Sequence, residues 1–350
     1  MSTAEQRLTR PRGVQLVAVG GDGVGPELME PTVELLSEHF GLEFVEVQAG
    51  FDHFCRTGSS LADSAGSALA SCNGVLFGAT ASPSGSVQGY VSPILWLRRE
   101  LELFANIRPV KTYLPGRQAV DICIIRENIE GLYAREEMRE EGRAVAHSVV
   151  TARRTARLAR YAYQYALGEG RRRVTVVHKA NVLKISDGLF REICLDTARE
   201  FPDLEVGEHL VDSAAYWLVR DPGRFDVILT MNLYGDILSD VAAGAADGLG
   251  FAPSLSIGPG IPLAEPVHGA APDVTGKGLA NPYGLLFSAG MLLKSLGMAH
   301  EAGILVQALI GAIANGVLTP DAGGDCTSAQ VFEAVANDLR MRGIARKVAC

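Results

Sequence analysis

"VQLVAVGGDGVGPELMEPTVELLSEHF", residues 14–40, sets the fold class before anything else is read. An apolar run, a glycine-rich turn and a longer stretch with apolar residues at helical spacing follow one another, which reads as strand, turn, helix. The glycines of "GGDGVGPEL" do not fall as G-x-G-x-x-G, so the turn is a tight connection rather than a Rossmann pyrophosphate loop. The same unit recurs downstream. "EFVEVQ", "GVLFGA", "DICIIREN", "RRRVTVVHKA" and "RFDVILTMN" read as further strands. Helices are expected over "TARLARYAYQYALGEG", "SDGLFREICLDTAREF", "GDILSDVAAGAADGLG", "GLLFSAGMLLKSLG", "AGILVQALIGAIANG" and "SAQVFEAVANDLRMRG". Alternating strands and helices imply an α/β fold with much parallel sheet.

A chain of 350 residues suggests two domains or one large α/β domain with insertions. No internal repeat or low-complexity linker marks a boundary, although the polar stretch "AREEMREEGRAVAHS" breaks the alternation and reads as a protruding arm. Hydrophobic residues make up 47% and charged ones 21%, enough to bury a substantial core. A net charge of −8 argues against a nucleic-acid partner, and "TARRTARLAR" reads as the solvated face of one helix. Cys55, Cys72, Cys123, Cys194, Cys326 and Cys350 show no metal-ligand spacing and fit reduced, mostly buried thiols. "MSTAEQRLTRPRG" lacks the apolar core of a signal peptide. No apolar run approaches the ~20 residues of a membrane helix. A soluble, cytoplasmic protein is expected.

Polar residues gather where strands end. Arg126, Glu127 and Asn128 close one, His178, Lys179 and Asn181 another, and Asn232 a third. In open α/β sheets that edge is where ligands bind. "NLYGDILSD" sets Asp236 and Asp240 on one helical face, about 5–6 Å apart at Cβ. At an effective dielectric of about 20 they repel by roughly 3 kcal/mol. Either water screens them or a cation sits between them, and with Asp212 the oxygen ligands would favour Mg²⁺ or Mn²⁺. Arg98, Arg108 and Arg126 suit a substrate with two or three carboxylates, whereas Arg99 reads as a surface residue. Lys179, just past a buried strand, can serve as an acid or base if a cleft holds it, whereas a lone Tyr133 reads more readily as core or rim. "EPVHGAAPDVTGKGLANP" from Glu265 onward is too rich in Gly, Pro and Ala for ordinary filler, and His268, Asp273 and Asn281 are its polar handles. A carboxylate such as Asp273 can accept both hydroxyls of a ribose.

Together "GGDGVGPE", "LRRELELFANIRP", "RENIEGLY", "VHKANVLKISDGLF", "NLYGDILSD", "EPVHGAAPD" and "TPDAGGDCT" resemble, in order and over nearly the whole chain, the β-decarboxylating dehydrogenases of isocitrate, 3-isopropylmalate, homoisocitrate and tartrate. The resemblance implies a doubly wound α/β fold distinct from Rossmann. Residues 1–103 plus 248–350 would form the larger, cofactor-binding domain, and 104–247 the smaller, dimer-forming one. It implies that Arg98, Arg108 and Arg126 clamp the malate carboxylates, that Tyr133 and Lys179 are catalytic, and that Asp212, Asp236 and Asp240 hold Mg²⁺ or Mn²⁺. Asn181 would lie near the nicotinamide, and Glu265, His268, Gly269, Asp273 and Asn281 would serve the cofactor. Lys179 and Asp212 would reach the site from a neighbouring subunit, making a homodimer, or a dimer of dimers, with shared active sites.

Members that use NADP carry Lys-Tyr where this chain has Asp273-Val274, so NAD is expected. Ser92 matches the serine that holds the γ-carboxylate in isocitrate enzymes, but their asparagine two positions on is Ile94 here. The isopropylmalate pattern has an acidic residue at Val91. "SPI-x-x-LRRE-x-x-LFANIRPVK" looks closest to homoisocitrate dehydrogenases. The expected substrate is therefore a small hydroxy acid, a 3-substituted malate such as homoisocitrate or an isocitrate-like tricarboxylate. A phosphonomethylmalate, 3-isopropylmalate or tartrate stand as alternatives. A non-catalytic regulatory subunit is the reading from another class, which losses at Tyr133, Lys179 or the aspartates would have favoured; none is seen.

Overall fold

The computed structural model describes residues 13–85 and 87–344; Cys350 and the N-terminal dozen residues lie outside them. The chain opens with β1 (Gln15–Gly21), α1 (Val24–Phe40), β2 (Glu43–Glu46), α2 (Phe51–Thr57), α3 (Ala65–Ser71), β3 (Gly74–Ala79) and α4 (Pro93–Glu100). Its middle supplies β4 (Ala105–Lys111), β5 (Asp121–Glu127), β6 (Gly131–Glu140), β7 (Arg143–Val149), α5 (Ala152–Gly168), β8 (Arg173–His178) and α6 (Ser186–Ala198). There follow β9 (Glu205–Leu210), α7 (Val211–Arg220), β10 (Val227–Thr230) and α8 (Asn232–Ala245). Then come β11 (Pro253–Ile257), β12 (Leu263–Pro266), α9 (Tyr283–Ser295), α10 (Ala299–Ala314) and α11 (Ser328–Met341).

Ten strands form one sheet in the order β2-β1-β3-β12-β11-β4-β5-β10-β8-β9. Two parallel blocks, β2-β1-β3-β12 and β5-β10-β8-β9, are joined through antiparallel pairings at β11 and β4. The parallel strands read as apolar runs because helices cover both faces; β3, GVLFGA, is buried along its whole length. Much parallel sheet was expected and is found in these two blocks; the antiparallel centre at β4 and β11 is what the strand pattern did not indicate. β4 and β11 escape the strand pattern because Asn106, Arg108, Ser254 and Ser256 put polar residues where alternation asks for apolar ones. The arm expected at "AREEMREEGRAVAHS" is the β6–β7 ribbon, a separate two-stranded sheet.

One face of the sheet carries a continuous core: α1, α5, α6, α9, α10 and α11 pack on Leu16, Leu76, Ile107, Ile125, Leu229 and Ala264. Helix α9 is apolar all round, and burial of Leu285, Leu286, Phe287, Leu292 and Leu293 contributes about 1.5–3 kcal/mol each. The opposite face carries two separate cores. Residues of α3 and α4 cover Val17, Val19, Val75 and Phe77, while α7 and α8 cover Ile122, Ile124, Val177 and Ile228. Between them, on β12, β11, β4 and β5, the sheet is polar.

The opening turn is a tight connection, as its glycines suggest. At Gly23, φ is +59°, and a Cβ there would sit 2.1 Å from the Ala270 carbonyl oxygen, which accepts the Val24 N–H at 3.0 Å. Buried Asp22 accepts the N–H groups of Phe51 (2.8 Å), Asp52 (2.9 Å) and Ala81 (2.8 Å), tying this turn to α2 and to the loop after β3.

Candidate active site

The polar gap follows from register. Ser254 pairs with Glu265, Ser256 with Asn106 and Asn106 with Arg126, so these residues share one face with Arg108. All are buried and hydrogen-bonded across the strands. Asn106 Nδ2 donates to Ser256 Oγ at 3.0 Å, and Arg108 Nε donates to Asn106 Oδ1 at 2.6 Å. Asn128 Nδ2 donates to the same serine oxygen at 3.2 Å.

Three guanidiniums close over this floor. Arg98, from the last turn of α4, donates to Glu265 Oε1 at 2.9 Å, while its Nε is buried without a hydrogen-bond partner. Arg108 Nη1 donates to Ser239 Oγ (2.7 Å) and to Asp236 Oδ1 (3.2 Å). Arg126 donates from Nε to the Asn232 carbonyl (2.8 Å), from Nη2 to Asn232 Oδ1 (2.7 Å) and from Nη1 to Asp236 Oδ1 (2.5 Å). Gly235 makes room for it, since a Cβ there would lie 2.6 Å from Arg126 Cγ. Burial first, then the Arg108 and Arg98 charges, push the Arg126 guanidinium down to about 9.

Asp236 and Asp240 do share a face of α8, and their repulsion has a local answer. Burial raises the Asp236 carboxyl, but Arg126 and Arg108, with the Tyr133 hydrogen bond, more than reverse this and leave it below the usual carboxylate range. Asp240 is raised, by desolvation first and by Asp236 among its neighbours. Tyr133, brought in by β6, donates to Asp236 Oδ2 at 2.5 Å, and Arg126 lies 5.0 Å above its ring. Burial chiefly, with Asp236 adding, raises the phenol, which therefore keeps its proton at neutral pH.

Lys179 and Asp212 stand apart from this cluster. They pair with each other at 2.5 Å, at the end of β8 and the start of α7. Among the described residues no group of three or more His, Cys, Asp or Glu side chains could hold a metal ion, so within one chain Asp212 does not join Asp236 and Asp240. What one chain offers a hard cation is the α8 pair. Asp236 Oδ2 accepts from the neutral Tyr133 phenol, and among the described residues no hydrogen bond ties down Asp240.

Of the cofactor candidates, Glu265 is occupied by Arg98. Asn281 has both ends of its amide taken, by the Tyr283 N–H (3.0 Å) and by Asp321 Oδ2 (3.0 Å). His268 has an orphaned buried Nε2, its Nδ1 lies 3.1 Å from the Gly269 carbonyl, and burial lowers its pKa. Gly269, Asp273 and Asn181 are exposed. A loop with free backbone, an exposed carboxylate and an unpartnered imidazole nitrogen fits a polar ligand such as a nucleotide. Ser92 is the N-cap of α4 but makes no side-chain capping bond, which leaves its hydroxyl available.

Sequence reasoning missed Asn106, Ser239 and Ser256, which help to orient the arginines, and marked Asn232 only as a polar residue at a strand end. The only trace of the first three is a polar residue alternating within an apolar run, as in "PSLSI". Arg99 is exposed, as expected, yet it is more than a surface charge: its Nη2 donates to the Tyr133 (3.0 Å) and Ala134 (2.9 Å) carbonyls and ties α4 to the strand that carries Tyr133.

Comparison with known proteins bears on this arrangement. The isocitrate/isopropylmalate dehydrogenase family profile matches residues 15–335. An isocitrate/homoisocitrate dehydrogenase of Thermus thermophilus is 43% identical over 330 residues, covering 93% of this chain and 98% of that protein. A 3-isopropylmalate dehydrogenase of Methanothermobacter thermautotrophicus is 40% identical over 333 residues, covering 94% and 99%. The crystal structure of isocitrate dehydrogenase from Methylococcus capsulatus superposes with a TM-score of 0.89 at 35% identity, covering 93% of this chain and 99% of that one.

Proposed function

The chain belongs to the isocitrate/isopropylmalate dehydrogenase family and is a decarboxylating dehydrogenase; we propose that it uses NAD⁺ and Mg²⁺ or Mn²⁺ to oxidise and decarboxylate homoisocitrate or an isocitrate-like tricarboxylate. The observation that carries this reading is the trio of buried guanidiniums gathered over one polar floor. Asp236 and Glu265 are ion-paired to them, and Arg98 Nε is left without a partner. Such a pocket is completed by the carboxylates of a ligand. Ser92, with a free hydroxyl at the mouth of α4, suits a further carboxylate, and neither Val91 nor Ile94 supplies a charge that would repel one.

In this account Arg98, Arg108 and Arg126 hold the malate core so that its C2–H faces the cofactor loop. Asp236 and Asp240, with Asp212 of a second copy, would hold the cation. Bound NAD⁺ would take the hydride while the cation draws charge from the hydroxyl and ketone oxygens. Lys179 of the second copy removes the hydroxyl proton as hydride leaves C2. The C3–carboxylate bond then breaks, carbon dioxide departs, and its electron pair passes into the enolate. Tyr133 delivers the proton that quenches it at C3. Asp273, exposed in the loop after β12, would chelate the ribose hydroxyls and repel a 2′-phosphate.

We further take residues 104–247 as the dimer-forming unit. Val182, Ile185, Tyr216, Val219 and Ile237 are exposed apolar side chains around α7, α8 and the segment before α6, next to the Lys179–Asp212 pair. A cytoplasmic location is in keeping with cofactor and substrate, and no helix among the described residues is long and apolar enough to cross a membrane. Purified protein assayed with Mg²⁺ and NAD⁺ or NADP⁺ against isocitrate, homoisocitrate, 3-isopropylmalate, tartrate and phosphonomethylmalate tests the assignment. Turnover of a tricarboxylate with NAD⁺ is expected. Turnover of only an alkyl or phosphonate analogue would overturn the substrate, and preference for NADP⁺ the role of Asp273.

A further inference from the structure

We propose that Asp187, with Tyr234 and His178, is the device that positions Lys179. The proposal rests on Lys179 being the proton acceptor. Strand β8 ends at His178, which pairs with Leu210, and the chain then leaves the sheet into the exposed segment around Val182 and Ile185. A side chain at such an exit is aimed only as well as its backbone is held. Two buried side chains hold it. Asp187 Oδ2 accepts the Lys179 N–H at 2.7 Å, and His178 Nδ1 accepts the Ala180 N–H at 3.1 Å. Asp187 is wholly buried and His178 is 4% exposed.

The chemistry of the clamp is specific. Because Nδ1 accepts, neutral His178 carries its proton on Nε2, which points toward Glu208 Oε2 at 3.5 Å; Glu208 in turn is held by Arg191. The Asp187 carboxylate is bonded by neutral donors: the Lys179 amide, the Tyr234 hydroxyl (3.1 Å) and the Ser186 hydroxyl (3.3 Å). Burying a carboxyl group on neutral donors is a costly way to fill a core. What it gains here is a single oxygen shared between the backbone of Lys179 and Tyr234, two residues before Asp236 on α8. Asp187 therefore joins the lysine that one protomer would lend to its neighbour to the helix that carries that protomer's own Asp236 and Asp240.

The test compares Asp187→Ala, Asp187→Asn, Tyr234→Phe, His178→Leu and His178→Asn. Measurements are amide hydrogen exchange in the unliganded protein and steady-state kinetics with NAD⁺, Mg²⁺ and homoisocitrate or isocitrate. Asp187→Ala is expected to speed exchange at Lys179 and to lower kcat by ~10–100-fold with KM within ~3-fold, as a misplaced catalytic group does. Asp187→Asn and His178→Asn keep an acceptor in place and should recover most of the rate lost in Asp187→Ala and His178→Leu. Tyr234→Phe removes one hydroxyl from a protein that still folds and should move exchange the same way to a smaller degree. Unchanged exchange at Lys179 and Ala180 across the set, or unchanged kcat in Asp187→Ala where Lys179→Ala abolishes turnover, would overturn the clamp. If Lys179→Ala itself keeps full turnover, the lysine's catalytic role fails, and exchange alone then decides whether the backbone clamp exists.

Discussion

Gly235→Ala should weaken this protein, although helix propensity says the reverse. In an exposed helix interior, alanine is about 1 kcal/mol better than glycine. At Gly235 the new methyl would stand 2.6 Å from Arg126 Cγ and 2.7 Å from its Cβ, roughly 1 Å inside the separation at which carbons attract. Arg126 cannot give way cheaply, being 1% exposed and bonded at once to the Asn232 carbonyl, Asn232 Oδ1 and Asp236. Overpacking costs about 1–3 kcal/mol, and a displaced charge-assisted hydrogen bond about 1.5–3 kcal/mol more. Set against the propensity gain, the net loss is about 1.5–5 kcal/mol. Equilibrium denaturant unfolding reads this as a lower midpoint at unchanged slope. Turnover should fall further than stability predicts, by ~100-fold, because the arginine moved is one that grips the substrate. A Gly235→Ala protein as stable as its parent with full kcat/KM would refute both the packing and the role given to Arg126.

Ser256→Ala leaves the Asn106 and Asn128 amides sharing no acceptor at the floor of the cleft; a loss of about 1–3 kcal/mol in unfolding free energy is expected, and none would contradict the polar floor. Burial lowers the His178 pKa, against an opposing pull from Glu208, so the unfolded chain binds this proton first. The stability this contributes is present above about pH 6.5 and is lost as pH falls through the folded value, and the slope of stability against pH should flatten in His178→Asn. Paired Asp273→Lys and Val274→Tyr substitutions should raise the NADP⁺ to NAD⁺ ratio of kcat/KM by at least ~10-fold; an unmoved ratio would remove Asp273 from the cofactor site.

Strands β3, β5, β8 and β10 and most of the helices were legible because helices on both faces leave a continuous apolar run in each of these strands. The central strands were not. β11 and β4 carry Ser254, Ser256, Asn106 and Arg108 on the cleft face, so the residues that build the site are those that hide the strands from a periodicity reading. Asp236, Asp240 and the arginines announced themselves by type and spacing, and Tyr133 only through the family resemblance of the motif that carries it. Their partnerships did not: Glu265 meets Arg98 across 167 residues of sequence, and Asn232, in the first turn of α8, cradles Arg126 of β5. The expected helix over "GDILSDVAAGAADGLG" begins earlier, at Asn232, and ends at Ala245, which puts Asn232 and Tyr234 inside its first turn.

The central claim is that Tyr133 and Lys179 of different copies form one site, and subunit mixing tests it most directly. Tyr133→Phe and Lys179→Ala, each inactive alone, are unfolded, mixed in equal amounts and refolded together. If sites are shared across a dimer, half of the dimers are mixed and each holds one intact site, so about a quarter of parental activity returns. A mixture no more active than its two components, with mixed dimers present by native mass spectrometry, would contradict the account.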